Sequence, residues 1–171
     1  MSYAEYAEFA DRRGIMGKRY KRTPDVPRID GGVLLFRSCL VSAEYPGVEA
    51  ATKWLFERFG IEYTIHPEQT CCTGLGYYSD LMPIETTVGL AARNACVAVN
   101  DGHPTMCYLC STCYAVNKKA RNILAVDAYR SQTNAVLESI GRMYDDEVAA
   151  KVQHKHTLDV LWGVHESIPE L

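Results

Sequence analysis

The sequence lacks a membrane span: no apolar run approaches the roughly 18 residues that crossing a bilayer requires. The amino terminus has no apolar core of a secretion signal, and no hydrophobic segment follows Arg12-Arg13 to make a twin-arginine leader. Neither sign of charge dominates. The 18 Lys and Arg against 21 Asp and Glu leave a net charge of -3, which argues against wholesale nucleic-acid binding. Low-complexity segments and internal repeats are also missing. What remains is a chain of 171 residues, 47% hydrophobic, long enough to bury a core without disulfide or metal staples. These features predict a cytoplasmic protein, or one peripheral on a membrane-bound complex, whose thiols stay reduced.

Cysteine is the residue that is abundant. The seven fall in an uneven order: Cys39 alone, the doublet Cys71-Cys72, an isolated Cys96, then Cys107, Cys110 and Cys113 at three-residue spacing. Adjacent cysteines do not comfortably bridge to each other, and disulfide scaffolds are shorter and richer in loops than this chain. Two neighbouring thiolates aimed at one place suit a polynuclear cluster, because sulfide-bridged iron needs several soft ligands converging from different loops. The pattern therefore predicts an iron–sulfur site. Tetrahedral zinc on four of these thiols, for which the final triplet offers suitable spacing, is an alternative the residues leave open. An ordinary cubane cluster and metal-free redox thiols are the others.

Residues 1–30 read as a separate basic arm. Met1–Phe9 has the pattern of a short helix with Tyr3, Tyr6 and Phe9 partly on one side, and Lys18-Arg19-Tyr20-Lys21-Arg22 is a dense basic run ending at Pro24 and Pro27. Such a segment has too little apolar surface to pack as a unit, so it is a solvated arm or a docking element. From residue 31 to 171 the pattern is a single domain of alternating α/β type. Val33–Phe36 predicts a buried strand ending at Cys39, with a loop after it. Pro46 opens a helix to about Phe59, with Val48, Ala51, Trp54, Leu55 and Phe59 inward. Ile61–Ile65 predicts a strand leading to Cys71-Cys72, Thr73–Gly76 a flexible turn, and Pro83–Val99 a helix. Thr105–Leu109 predicts a strand delivering Cys110, with Cys113 opening a helix to about Leu124. Helices are expected near Ser131–Tyr144, Asp145–Val152 and Leu158–Val164. The fold class is thus α/β: a small, mostly parallel sheet flanked by helices, with cysteine-bearing loops at the strand C-terminal ends, where open sheets gather ligands.

The stretch from Leu34 to about Leu124 resembles the cysteine-rich CCG domain of the heterodisulfide reductase catalytic subunit family. The resemblance is carried by Cys39, Tyr45-Pro46-Gly47-Val48-Glu49-Ala50-Ala51, Cys71-Cys72, Ala91-Ala92-Arg93-Asn94 and Cys110-Ser111-Thr112-Cys113-Tyr114, with a weaker echo at His156–Leu161. It implies Cys39, Cys71, Cys72, Cys110 and Cys113 as ligands of a noncubane 4Fe–4S cluster. Two departures stand out. The family's catalytic subunit carries two such domains, whereas this chain has one. The spacer after Cys72 is 34 residues to Cys107 and 37 to Cys110, on either side of the family's usual length. Cys110 and Cys113 are preferred because the family motif is Cys-x-x-Cys, then an aromatic, then a helix; Asn100–His103 offers a loop to absorb the extra length. Cys107 falls inside a predicted strand as a buried residue, and Cys96 on an apolar helix as core.

The resemblance further implies a subunit of a redox complex that reduces, or feeds electrons to, a disulfide or thiol. Expected partners are an electron-donating iron–sulfur or flavin subunit and a small-molecule disulfide, with no nucleic acid. A noncatalytic electron relay, a structural subunit and a cluster assembly factor are the alternatives. Other polar residues say less. His66 and His103 read as loop histidines that line a site at most, and His154 and His156 as late-helix residues. Glu68, Tyr77, Tyr78 and Asp80 are candidates for a substrate entrance.

Overall fold

Val33-Leu34-Leu35-Phe36 has no polar side chain, and such a run is covered only when both faces of its strand are packed. In the computed structural model, which describes residues 31–167, these residues form an inner strand of a four-stranded, wholly parallel sheet. The strands are β1 (Val33–Phe36), β2 (Tyr63–Thr64), β3 (Thr105–Tyr108) and β4 (Gln153–His156), in the order β2-β1-β3-β4. The register pairs Val33 with Tyr63, Leu35 with Cys107, and Tyr108 with His156. The α-helices are α1 (Cys39–Glu44), α2 (Pro46–Arg58), α3 (Gly74–Tyr78), α4 (Ile84–Asn100), α5 (Ser111–Leu124), α6 (Asp127–Leu137), α7 (Asp146–Lys151) and α8 (Thr157–Trp162). Among the described residues no helix is long and apolar enough to cross a membrane.

Alternation along β1 and β3 sorts the core into two halves. Leu34, Phe36, Met106 and Tyr108 pack with α4 and α5, where Ala91, Ala92, Ala95 and Ala98 let α4 approach the sheet closely. Val33, Leu35, Cys107 and Leu109 pack on the other side with Val41, Phe56 and Val160. The α/β layering and the placement of Cys39 and Cys110 just beyond β1 and β3 agree with the sequence reading.

Several local expectations are corrected. The segment after Cys39 is helical, because the buried Ser38 caps it: its Oγ accepts from Val41 N at 3.4 Å. Helix α2 turns Glu49, Thr52 and Phe56 inward, while Val48 and Trp54 are exposed. The predicted strand at Ile61–Ile65 shortens to Tyr63–Thr64. Thr73–Gly76 is no flexible turn but leads into α3, which is docked on α5. Helix α5 starts at Ser111, with Cys110 as its N-cap and Cys113 already in the first turn. The helix expected from Ser131 begins at Asp127 and ends at Leu137. His154 and His156 lie in β4, not in a helix. The basic arm and its docking element fall at residues 1–30, outside the described residues.

His154 supplies a test of the sheet edge. Its Nδ1 lies 2.7 Å from the hydroxyl of fully buried Tyr108. Withdrawal from water, helped by the positive charges of Arg121 and Lys118, pulls its pKa from 6.5 down to about 4. Between those values the unfolded chain binds the proton and the folded chain does not. Stability therefore falls as pH drops from about 6.5 to 4, by roughly 3 kcal/mol in total. Urea denaturation of the cofactor-free chain at pH 7 and pH 4.5 should show this slope, and His154→Gln should flatten it; an unchanged slope in the variant removes His154 as the cause.

Candidate functional site

Three segments bring five thiols to the carboxyl edge of the sheet. Cys39 starts α1 just beyond β1, Cys110 caps α5 just beyond β3, and Cys71-Cys72 arrive on the irregular chain between β2 and α3. Cys71 Sγ lies 3.5 Å from Cys39 Sγ, and Cys72 Sγ lies 3.0 Å from Cys113 Sγ. The two pairs differ in environment: Cys39 and Cys71 are exposed, Cys72 and Cys113 are buried, and Cys110 is intermediate. The hydroxyl of Ser38 reaches both Cys110 and Cys113.

Backbone N–H groups are aimed at the sulfurs. Thr73 N donates to Cys71 Sγ at 3.3 Å and Gly74 N to Cys72 Sγ at 3.4 Å. To present both donors, Thr73 sits at φ 53, a left-handed conformation unusual for a β-branched residue. Its hydroxyl holds it there, donating to Cys72 O at 2.8 Å and lying 2.9 Å from Thr87 Oγ1. Gly74 has no room for a side chain, since a Cβ would meet Thr112 Cγ2 at 2.8 Å and Cys72 Sγ at 3.4 Å. This cradle is built for close approach of α3 to α5.

The electrostatics split the thiols. The Cys113 partner, against the cost of burial and helped by Gly74 N–H, brings Cys72 down to about 6, while that same hydrogen bond and burial push Cys113 well up. The hydrogen bond thus favours the thiolate on Cys72 and the thiol on Cys113. Burial opposes ionisation of Cys110, but the N–H groups of Cys113 and Thr112 at the start of α5 outweigh it and lower its pKa. Burial, with Cys39 alongside and only Thr73 N–H opposing, raises Cys71 to about 11.

This donor set fits a thiolate-held cluster: soft ligands from three segments, beside backbone donors suited to sulfur. Among the described residues no three His, Cys, Asp or Glu surround a point where a single metal ion fits. The other two cysteines lie apart. Cys107 is fully buried within β3, on the opposite face from Cys72 and Cys113, with Thr157 Oγ1 at 3.7 Å. Cys96 donates to Met143 O at 3.2 Å from within α4.

The exposed side of the site opens into a hollow of about 340 Å³ lined by Arg37, Cys39, Ser42, His66, Gln69 and Cys71, among others. His66 is thereby placed beside the thiols, its Nδ1 accepting from Glu68 N at 3.1 Å. Glu68 is tied to Arg142 and Arg93, and Tyr77 to Lys119; Tyr77 and Asp80 line a different, more open hollow. A roomier apolar groove between α4 and α6 contains no cysteine. Sequence reading missed Ser38, Thr73 and Gly74 as parts of the site. The signal available was only their adjacency to Cys39 and Cys71-Cys72.

Residues 33–116 match the family described as CCG, a cysteine-rich domain. The chain is 43% identical over 148 residues to the B subunit of the ferredoxin:CoB-CoM heterodisulfide reductase of Methanosarcina acetivorans, covering 82% of this chain and 46% of that protein. It is 29% identical over 138 residues to a protein of Archaeoglobus profundus described as like the B subunit of heterodisulfide reductase, covering 78% of this chain and 42% of the relative. The chain therefore spans somewhat under half the length of these curated relatives. A crystal structure of a hypothetical protein from Helicobacter pylori superposes with a TM-score of 0.62 at 14% identity, over 92% of this chain and 30% of that one. That likeness concerns the fold alone.

Proposed function

Through residues 33–116 the chain belongs to the CCG family of cysteine-rich domains, and from that premise we propose that it is an iron–sulfur subunit of a heterodisulfide reductase-like redox complex. Cys39, Cys71, Cys72, Cys110 and Cys113 are the proposed ligands of a 4Fe–4S cluster of the noncubane type. The observation that carries the reading is the convergence of these thiols at one sheet edge, in two pairs 3.0 and 3.5 Å apart. When bound, the cluster would supply electrons and an iron site for one sulfur of a disulfide.

The protein's own residues do the rest. Buried Cys72 and Cys113 anchor the inner side, away from water. Cys39 and Cys71 face the hollow where a small molecule reaches the site. Arg37 on its rim is half exposed and already paired through Nε with Glu49, which also takes Lys53 and Ser42, so its guanidinium orientation is fixed. Partner subunits, including an electron donor, belong to the proposal as well.

The test is anaerobic purification followed by iron and sulfide analysis and paramagnetic resonance. The expected content is about four iron and four sulfide per chain. Stoichiometric zinc without labile sulfide would overturn the reading. Addition of a disulfide or thiol should then change the resonance spectrum; a loaded cluster that ignores both is an electron relay rather than a catalytic centre.

A further inference from the structure

The loop carrying the cysteine doublet has no regular structure from Ile65 to Cys72, yet three successive residues in it are fastened to three different parts of the fold. Gln69 Oε1 accepts from Arg37 N at 3.0 Å while Gln69 Nε2 donates to Arg37 O at 2.8 Å. One side-chain amide thus pairs with both backbone groups of the residue two before Cys39. The next position repeats the device in reverse. Asn94, buried in α4, accepts from Thr70 N at 3.0 Å and Thr70 Oγ1 at 3.1 Å, and donates to Thr70 O at 3.1 Å. Here the paired residue immediately precedes Cys71. Arg93 Nη1 holds Glu68 O at 2.6 Å, and Arg142 holds the Glu68 carboxylate.

We propose that Gln69 and Asn94 are positioning residues: two amide clamps that set the separation of Cys39, Cys71 and Cys72 before any cofactor arrives. The proposal rests on the reading of these cysteines as ligands. A single hydrogen bond leaves the chain free to swivel, whereas a donor and an acceptor in one plane fix its position and direction together. Only a carboxamide offers both at this length; an ionised carboxylate only accepts. The Gln69 clamp couples the end of β1, and so Cys39, to the doublet loop. The Asn94 clamp couples that loop to α4. Supporting groups of this kind orient ligands and tune the centre they hold.

The clamps can be tested without a cluster. In the reduced, cofactor-free chain, diamide takes two electrons and two protons from a thiol pair, forming a disulfide and a hydrazine. The Cys39–Cys71 pair should close fast, and peptide mass spectrometry reads the rate. Gln69→Ala should slow that closure about tenfold or more, and Gln69→Glu, which keeps the acceptor but loses the donor, should remain slow. Cys72–Cys113 closure should be unchanged by either, because Gln69 does not touch that pair. Asn94→Ala should slow closure of both pairs. Its far-ultraviolet circular dichroism serves as the folding control, and if it fails to fold the half-buried Gln69 variants decide. Native closure rates in folded Gln69→Ala would overturn the proposal. In iron-reconstituted protein the same variants should retain iron but shift the resonance spectrum. If the native chain takes up no iron, the ligand reading fails on its own, while the closure rates still decide the clamps.

Discussion

Cys72→Ser and Cys113→Ser chains should retain less than about a tenth of the native iron after anaerobic purification, whereas Cys107→Ser and Cys96→Ser should retain it in full. Serine is a harder, poorer donor to iron–sulfur centres, and Cys72 and Cys113 form the buried inner pair, 3.0 Å apart. Water cannot replace a missing ligand there as easily as on the exposed side. Cys107 and Cys110 are separated by a strand end. Residues alternate sides along β3, which sends Cys107 toward Thr157 and Val160, on the face away from Cys72. Burial raises its thiol to about 12, and neither Cys72 nor Cys113 faces it there, so its distinction from Cys113 rests on the side of the sheet it occupies. Cys110 lies past the strand, where the backbone turns into α5 and the side chain reaches Cys113 and Ser38. Full iron in Cys113→Ser, with loss in Cys107→Ser, would reverse the assignment.

Phe56→Ala should cost about 3–5 kcal/mol of stability, and Trp54→Ala less than about 0.5 kcal/mol. Phe56 is wholly buried against Tyr63, with ring centroids 5.9 Å apart, and fills the smaller half of the core under α2. Trp54 is 62% exposed. Urea unfolding of the cofactor-free variants gives both numbers. A larger loss for Trp54→Ala would mean that α2 packs with its other face inward.

That contrast shows where the sequence stops being legible. The apolar residues of Pro46–Arg58 favour a face containing Val48 and Trp54, but α2 is rotated to place Glu49 over Arg37, Lys53 and Ser42. The inward face then carries Phe56 together with a carboxylate that finds three partners, and no periodicity count can foresee those partners. Strand β4 was invisible for a related reason. Gln153-His154-Lys155-His156 carries no apolar signature and exists because β3 offers it an unpaired edge. Helix α3 defies the low helix propensity of Gly74 and Gly76, the first of which has no room for a side chain where Thr112 comes close. By contrast, Val33–Phe36 is plain as a wholly apolar run, Thr105–Tyr108 as a short, mostly apolar run after the Asn100-Asp101-Gly102 break, and Ile84–Asn100 as a long alanine- and valine-rich helix before that break. From them followed the sheet edge where the cysteines meet. The clamps were not legible, because Gln69 and Asn94 act through backbone groups that are distant in sequence.

The parallel pairing of β1 with β3 also has a consequence for synthesis. Leu34 finds Met106 only after a long stretch of chain has been made, and Cys39 and Cys113 stand 74 positions apart (113 minus 39). At roughly 5–20 residues per second, about 4–15 s separate the two emerging from the ribosome. For the later part of that interval Cys71 and Cys72 have joined Cys39 without the wall that later encloses the inner pair. On the proposed ligand reading, a cluster that needs all five thiols could be loaded only once translation has passed α5. Ribosome-stalled chains should display this timing. Those stalled before α5 has emerged should leave Cys72 open to alkylation, and those stalled well after it should protect it.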